Sequence, residues 1–259
     1  MQNELTFYIE RESLLHRLNP LTKLAMVFAL ILLAFLGPGF LLPTFLILFA
    51  IIPLSFLGKV QREYFKAARQ MLLPVVGFLF VMQSFFHQDG SKVLFHLWFL
   101  DVTVGSVRYA YLTATRIFVM VSAFILMILS THPSTLMSDL TRRGLPGTFA
   151  YVITTTLQII PQMRKKANTI IDAQRSRGLD TEGGVVKRVK ALLPLVGPLV
   201  FGSLVDVEER AIAIEARAFT STLPKTSLRQ IPDTSLDKAA RWIFLILMLL
   251  AIGSQLWPS

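Results

Sequence analysis

Apolar residues arrive along this chain in runs sized to a bilayer, separated by short polar breaks. Residues 24–36 and 40–57 form two such runs, divided only by Gly37-Pro38-Gly39, so they read as spans one and two of a helical hairpin. Starting the first span at Leu21 makes it long enough, with Lys23 snorkelling to the interface. Residues 71–86 predict span three and residues 106–131 span four, on which Arg108 and Arg116 share a face. Arg108 can snorkel, whereas Arg116 lies deep enough to need a partner. Residues 242–257 predict the last span.

The polar segments set the topology. Residues 4–23 read as a lead-in along the membrane surface, with Leu14, Leu15 and Leu18 on one face of a short helix and Asn19-Pro20 as a turn. The loop 59–69 carries Lys59, Arg62, Lys66 and Arg69 and is expected on the cytoplasmic side. Residues 87–105 hold one basic residue, Lys92, and are expected outside. Residues 132–238 carry an excess of Lys and Arg, hold no convincing span and are expected in the cytoplasm. Within them, a helix over 134–143 has Ser134 as cap and Gly144-Leu145-Pro146 as stop. Residues 149–160 read as a membrane-skirting helix rather than a sixth span, and 162–177 as a helix beyond Pro161. The next helix is expected to break at Pro194 and Pro198 and resume over 199–218. There Leu204, Val207, Ala211, Ile214 and Ala218 form a narrow stripe suited to packing on another helix, and Asp206 and Arg210 are spaced to pair. Residues 220–237 read as a linker.

The fold class is thus an all-α integral membrane protein of about five transmembrane helices plus long cytoplasmic helices. It divides into a membrane domain over 1–131, a cytoplasmic domain over 132–237 and a terminal span over 238–259. Composition agrees, with 53% hydrophobic and 16% charged residues and a mean hydropathy of +0.58. The net charge of +10 sits beside apolar runs, which argues for topology and anionic-lipid contact rather than nucleic acid. With no cysteine, disulfide, thiol and cysteine-ligated metal chemistry are excluded. His87, Asp89, His96 and Asp101 lack ligand spacing and read as solvated loop residues.

One short pattern occurs twice in the basic region. Ala173-Gln174-Arg175-Ser176-Arg177-Gly178-Leu179 is echoed by Ala213-Ile214-Glu215-Ala216-Arg217-Ala218-Phe219. Each sets an Arg between small residues ahead of an apolar one. Small flanks admit a partner's backbone, and a guanidinium offers a forked donor set to a carboxylate or carbonyl cluster, so two copies suggest two docking events. Either copy alone is also what an ordinary helix C-terminus looks like, with a cation against the dipole and a left-handed cap.

Together these features resemble the T component of energy-coupling factor transporters, over nearly the whole chain. The two Arg motifs match the ends of that family's coupling helices, and residues 15–24, LHRLNPLTKL, match its amino-terminal signature. Ser176 stands where the first motif often has Ala, and Ala218 where the second usually has Gly. The resemblance implies a subunit that links two ATP-binding-cassette ATPases to a separate substrate-capturing S component for micronutrient uptake. It implies docking through Ser176, Arg177 and Gly178 and through Ala216, Arg217 and Ala218, with Arg175 and Glu215 in support. ATP and Mg would be used by the partner ATPases, and no cofactor is expected on this chain.

The remaining chemistry is sparse. No GxxxxGK[ST] loop, HExxH or GxSxG is present, so the chain reads as a transducer rather than an enzyme. A self-contained channel or secondary transporter would call for two matching halves with interrupted helices. A membrane-bound lipid-modifying enzyme would need an acid or His at the membrane edge, where His132 and Asp139 are the candidates.

Overall fold

The computed structural model describes residues 11–37, 39–87, 92–97, 100–178, 185–219, 221 and 233–256, with side chains outside 94–101, 185–192 and 254–256. In chain order its elements are α1 (Leu14–Arg17), α2 (Pro20–Leu36), α3 (Leu42–Leu57), α4 (Gln61–Phe86), a hairpin of β1 (Val93–Leu97) and β2 (Leu100–Thr103), α5 (Val104–Ser130), α6 (Pro133–Arg142), α7 (Gly147–Ser176), α8 (Val185–Ala216) and α9 (Ser235–Leu256). Single π-helical turns interrupt α3 at Ile47–Ile51 and α4 at Ala68–Leu72. Helices α4 and α5 are long and apolar enough to cross a membrane, and α2 and α3 are shorter apolar helices. Asp89 and most of the expected 220–237 linker lie outside the described residues.

The described residues fall into two compact units, one of residues 11–145 and 233–256, the other of residues 146–221. The division falls after α6, which packs on α2.

In the first unit α2 is the central helix, packed on α5 and α9. The core runs through Val27, Ile51, Val60, Tyr64, Val119, Ala123 and Leu126. Small buried residues on α5, Ala110, Ala114, Ser122 and Ala123, let neighbouring helices approach closely. The Tyr64 hydroxyl donates to Ser122 Oγ over 2.9 Å, satisfying a polar pair inside the apolar core.

The signature stretch 15–24 is a junction rather than a surface lead-in. Leu15 is buried while Leu14 is exposed. Asn19 caps α2, its Oδ1 accepting from Leu21 N at 2.9 Å, with Pro20 at the first helical position where its missing N–H costs nothing. The Asn19 N–H donates to Asp237 Oδ1 at 3.0 Å, tying the start of α2 to the start of α9. Asp237 also accepts from the Thr234 hydroxyl at 2.8 Å and the Thr234 N–H at 3.2 Å. Burial pushes its carboxyl upward, but the donors from Asn19 and Thr234 outweigh that and hold it below the ordinary carboxylate range.

Lys23 does not snorkel. It is 2% exposed, and its ammonium donates to the Ser130 carbonyl at 2.7 Å. A lysine one turn into a helix can reach water only if no other helix end is closer; here the C-terminus of α5 offers orphan carbonyls and the negative end of its dipole. Arg116 finds its partner in the Ala34 carbonyl at 3.0 Å, with its guanidinium 5.8 Å from the Phe35 ring centroid. Arg108 lies over Phe40 at 5.1 Å.

Two further differences come from local chemistry. The loop 87–105 contains the antiparallel hairpin β1–β2, pairing Leu97 with Leu100. Helix α6 is capped by His132, whose Nδ1 accepts from Ser134 N at 3.2 Å, so Ser134 lies inside the helix instead of capping it. Proline at the first helical position fixes this register.

The second unit pairs α7 with α8. Pro161 sits within the 30 residues of α7, and Pro194 and Pro198 within the 32 of α8, and neither helix is broken. Each proline forfeits one backbone bond and crowds the preceding turn, about 3 kcal/mol, which helices this long absorb through their remaining ladder. The expected segments 149–160 and 162–177 are therefore one helix. The face of α8 toward α7 also differs from expectation. Leu204 and Val207 are 60% and 61% exposed. Contact with α7 is made by Gly202, Ser203, Asp206 and Arg210, because Lys166 Nζ donates to the Gly202 carbonyl at 2.8 Å and to Asp206 at 2.8 and 3.0 Å. Arg210 then turns to Gln162 rather than to Asp206. A Cβ at Gly202 would come within 2.7 Å of Lys166 Cε, so the glycine is what admits the lysine.

Candidate functional site: the arginine-bearing helix ends

The helix α7 ends at Ser176, leaving Arg177 as the cap residue and Gly178 in the left-handed region at φ +87°. The Gly178 N–H returns to the Arg175 carbonyl at 2.9 Å, and Ser176 Oγ donates back to the Asp172 carbonyl at 3.1 Å. At the end of α8, Ala216 is the last helical residue, Arg217 follows, and Ala218 is left-handed at φ +53°. The Ala218 N–H donates to the Glu215 carbonyl at 2.9 Å and the Phe219 N–H to the Ile214 carbonyl at 3.2 Å, the paired bonds of a Schellman stop. Both motifs thus share one backbone plan. Arg175 and Glu215 supply equivalent carbonyls, and Arg177 and Arg217 occupy equivalent positions. Ala218 accepts a conformation that favours glycine because two backbone bonds close around it.

A third helix end has the same plan, which sequence reading passed over. Helix α6 leads into Arg143 and Gly144 at φ +112°, with the Gly144 N–H on the Thr141 carbonyl at 3.1 Å and the Leu145 N–H on the Leu140 carbonyl at 3.0 Å. The local signal, Arg-Gly-Leu, was as visible there as in the first motif. Backbone geometry therefore cannot mark a docking site, and the side chains must. Arg143 is engaged inside its unit, 3.3 Å from Asp233 and 3.9 Å from the buried Asp139. Asp233 also takes Arg241 at 2.6 and 2.8 Å. The Arg241 hydrogen bond, against some desolvation and helped by the charges of Arg241, Arg143 and Lys238, holds the Asp233 carboxyl below its ordinary range. Arg177 and Arg217, by contrast, are exposed and have no side-chain hydrogen bond or ion pair among the described residues. Arg175 sits 4.0 Å from Asp172.

The two exposed arginines are well separated. Phe219 packs on Tyr151 near the start of α7, with ring centroids 5.2 Å apart, while Arg177 closes the far end of the same helix. At 1.5 Å per residue, the length of α7 between them is roughly 40 Å. Each offers a forked cation at the tip of a long helix, suited to a separate acidic or carbonyl-rich pocket on a partner.

The fold is that of an all-α membrane protein with two exposed, arginine-bearing helix ends, and transporter transmembrane components are the class it resembles. The CbiQ family, described as cobalt transport protein, matches residues 11–228. The chain belongs to this family, as a T component of the energy-coupling factor type. It is 30% identical to the energy-coupling factor transporter transmembrane protein EcfT of Limosilactobacillus fermentum over 94% of both chains. It is 27% identical to that of Lactococcus lactis subsp. cremoris over 100% of this chain and 99% of the relative. Against the Bacillus subtilis protein identity is 29% over 89% of each.

Proposed function

We propose that this chain is the mechanical link of an energy-coupling factor importer, joining two ATP-binding-cassette ATPases to a substrate-binding membrane S component for uptake of a vitamin or transition-metal ion. The observation that carries this reading is the contrast among three like helix ends: Arg143 is engaged within its own unit, while Arg177 and Arg217 extend unpaired among the described residues. Each docks one ATPase, with Ser176 and Gly178, or Ala216 and Ala218, giving the partner's backbone room to approach. ATP and Mg act in the ATPases, since this sequence has no phosphate loop of its own. The charge pattern orients the chain in the cell membrane with its amino terminus and residues 132–238 in the cytoplasm and its carboxyl terminus outside.

ATP-driven closure moves the two helix ends, and the close approach at Gly202, which admits the Lys166 stem, makes α7 and α8 turn together rather than slide. The exposed stripe Leu204, Val207 and Ala211 is then the surface offered to the S component. Co-purification of both ATPases with Arg177→Ala, Arg217→Ala and the double variant tests the reading. Loss of one ATPase-docking contact in each single variant, and of the complex in the double, is expected; silent variants in assembly and transport overturn it.

A further inference from the structure

Where α6 meets the start of α9, a cavity of about 240 Å³ is lined by Arg143, Lys238, Arg241, Trp242 and Leu245. The role at the tips of α7 and α8 makes no use of it. Three of its five lining residues are cations. The acids nearby offset part of that charge: Asp233 takes Arg241 and Arg143, Asp139 lies 3.9 Å from Arg143 Nε, and Asp237 is committed to Asn19 and Thr234. None of these acids lines the cavity. Lys238 is exposed, and Arg241 Nη1 is enclosed without a hydrogen-bond partner among the described residues, so donor capacity remains.

Below the cavity the same face of α9 continues as an apolar track. Trp242, Leu245, Leu249 and Ile252 recur at steps of three and four and are 65%, 45%, 60% and 40% exposed. In a membrane protein such a face lies against acyl chains, and Trp242 at its head has the indole placement of an interface anchor. Cations above an apolar track match the two ends of one amphiphile. A zwitterionic headgroup would bring its own cation against Arg143 and Lys238, whereas an anionic one would not. We propose that this cavity binds the phosphate-bearing headgroup of an anionic phospholipid, whose acyl chain follows Trp242, Leu245 and Leu249. Free phosphate shares the headgroup chemistry but gains nothing from the apolar wall.

The test uses the full chain carrying Trp98→Phe and Trp257→Phe, which leaves Trp242 as its one indole, in nanodiscs with brominated phosphatidylglycerol or brominated phosphatidylcholine. Quenching of Trp242 is expected to favour phosphatidylglycerol by about five-fold, since each Lys or Arg near an anionic surface contributes a few-fold in affinity. Arg143→Gln with Lys238→Gln is expected to bring the ratio close to one, and Lys238→Gln alone, at an exposed site that does not threaten folding, to lower it by about half. Equal quenching by the two lipids in the parent protein overturns the proposal, as does a preference that survives Lys238→Gln undiminished. Excess inorganic phosphate at constant ionic strength is expected to leave the preference intact; its loss would assign the site to free phosphate and overturn the lipid.

Discussion

The Lys23 ammonium of α2 donates over 2.7 Å to the Ser130 carbonyl, the last residue of α5, and Arg116 Nε of α5 returns the favour over 3.0 Å to the Ala34 carbonyl near the end of α2. Two antiparallel helices thus each place a cation on the other's orphan carbonyls and against the negative end of its dipole. Away from water these carbonyls have few other donors, so the contacts bear on assembly of the membrane unit. A hydrogen bond to a charged group contributes about 1.5–3 kcal/mol. Lys23→Met is therefore expected to destabilise the detergent-solubilised protein by about that much, read as a lowered unfolding midpoint, with Arg116→Met acting in the same direction.

Acid should loosen the junction of α2 and α9. Asp237 and Asp233 have folded-state values held below those of the unfolded chain, so their ionised forms favour folding. The stability they contribute is full above the unfolded carboxylate value and is lost as pH falls through the lowered folded values. Unfolding midpoints followed from neutral pH into the acid range should be flat and then drop. Asp237→Asn should start lower at neutral pH and show a shallower drop, and a parallel curve for that variant would remove Asp237 from the account.

The left-handed Ala218 makes the two motifs unequal in strain. An alanine there costs roughly 1 kcal/mol relative to glycine. Ala218→Gly is expected to stabilise the end of α8, and Gly178→Ala to weaken the end of α7 by a similar amount. Amide hydrogen exchange of the last turn of each helix reads both effects, and slower exchange in the first variant paired with faster exchange in the second is the expected result.

Much of this was legible in the sequence, for physical reasons that differ by feature. Apolar runs set α2 to α5 because bilayer thickness imposes length whatever the partners. Arg177 and Arg217 stand out in the sequence because their setting repeats. Lys23 was misread because its acceptor, Ser130, is remote in sequence, and no periodicity announces a tertiary carbonyl. The continuity of α7 and α8 through three prolines was hidden because local propensity prices the lost bond but not the ladder around it. The stripe at Leu204 and Val207 had the right spacing for packing, yet Lys166 selected the neighbouring face that carries Gly202 and Asp206.

That face makes its own prediction. Gly202→Leu would drive a side chain into the space of the Lys166 stem and part α7 from α8. Cysteines introduced at Met163 and Ser203, whose side chains meet at 3.4 Å between Ser203 Oγ and Met163 Sδ, should cross-link readily in the parent and poorly beside Gly202→Leu. Asp206→Ala should matter less, because the Lys166–Asp206 pair is partly exposed and such pairs contribute about 1 kcal/mol or less.

Arginine geometry separates a docking plug from a plain helix end. A guanidinium can hold a carboxylate or carbonyl edge through two parallel bonds, whereas an ammonium is a compact point charge. Against a helix dipole alone either cation contributes about 0.3–1 kcal/mol, so a capping role tolerates Lys. Arg143 supplies an internal comparison, since it shares the backbone plan but is spent on Asp233. Arg177→Lys and Arg217→Lys are expected to weaken ATPase capture at each site, by less than the about 2–5 kcal/mol of truncation to Ala, because Lys keeps the charge and loses only the fork. Both should leave the unfolding midpoint of the isolated chain almost unchanged, because neither side chain has a partner among the described residues. Arg143→Lys should do the reverse, lowering the midpoint while leaving ATPase capture intact. Pull-down of the ATPases beside a melting curve for each variant reads both axes. If Arg177→Lys and Arg217→Lys leave ATPase capture intact, Arg177 and Arg217 are ordinary helix ends.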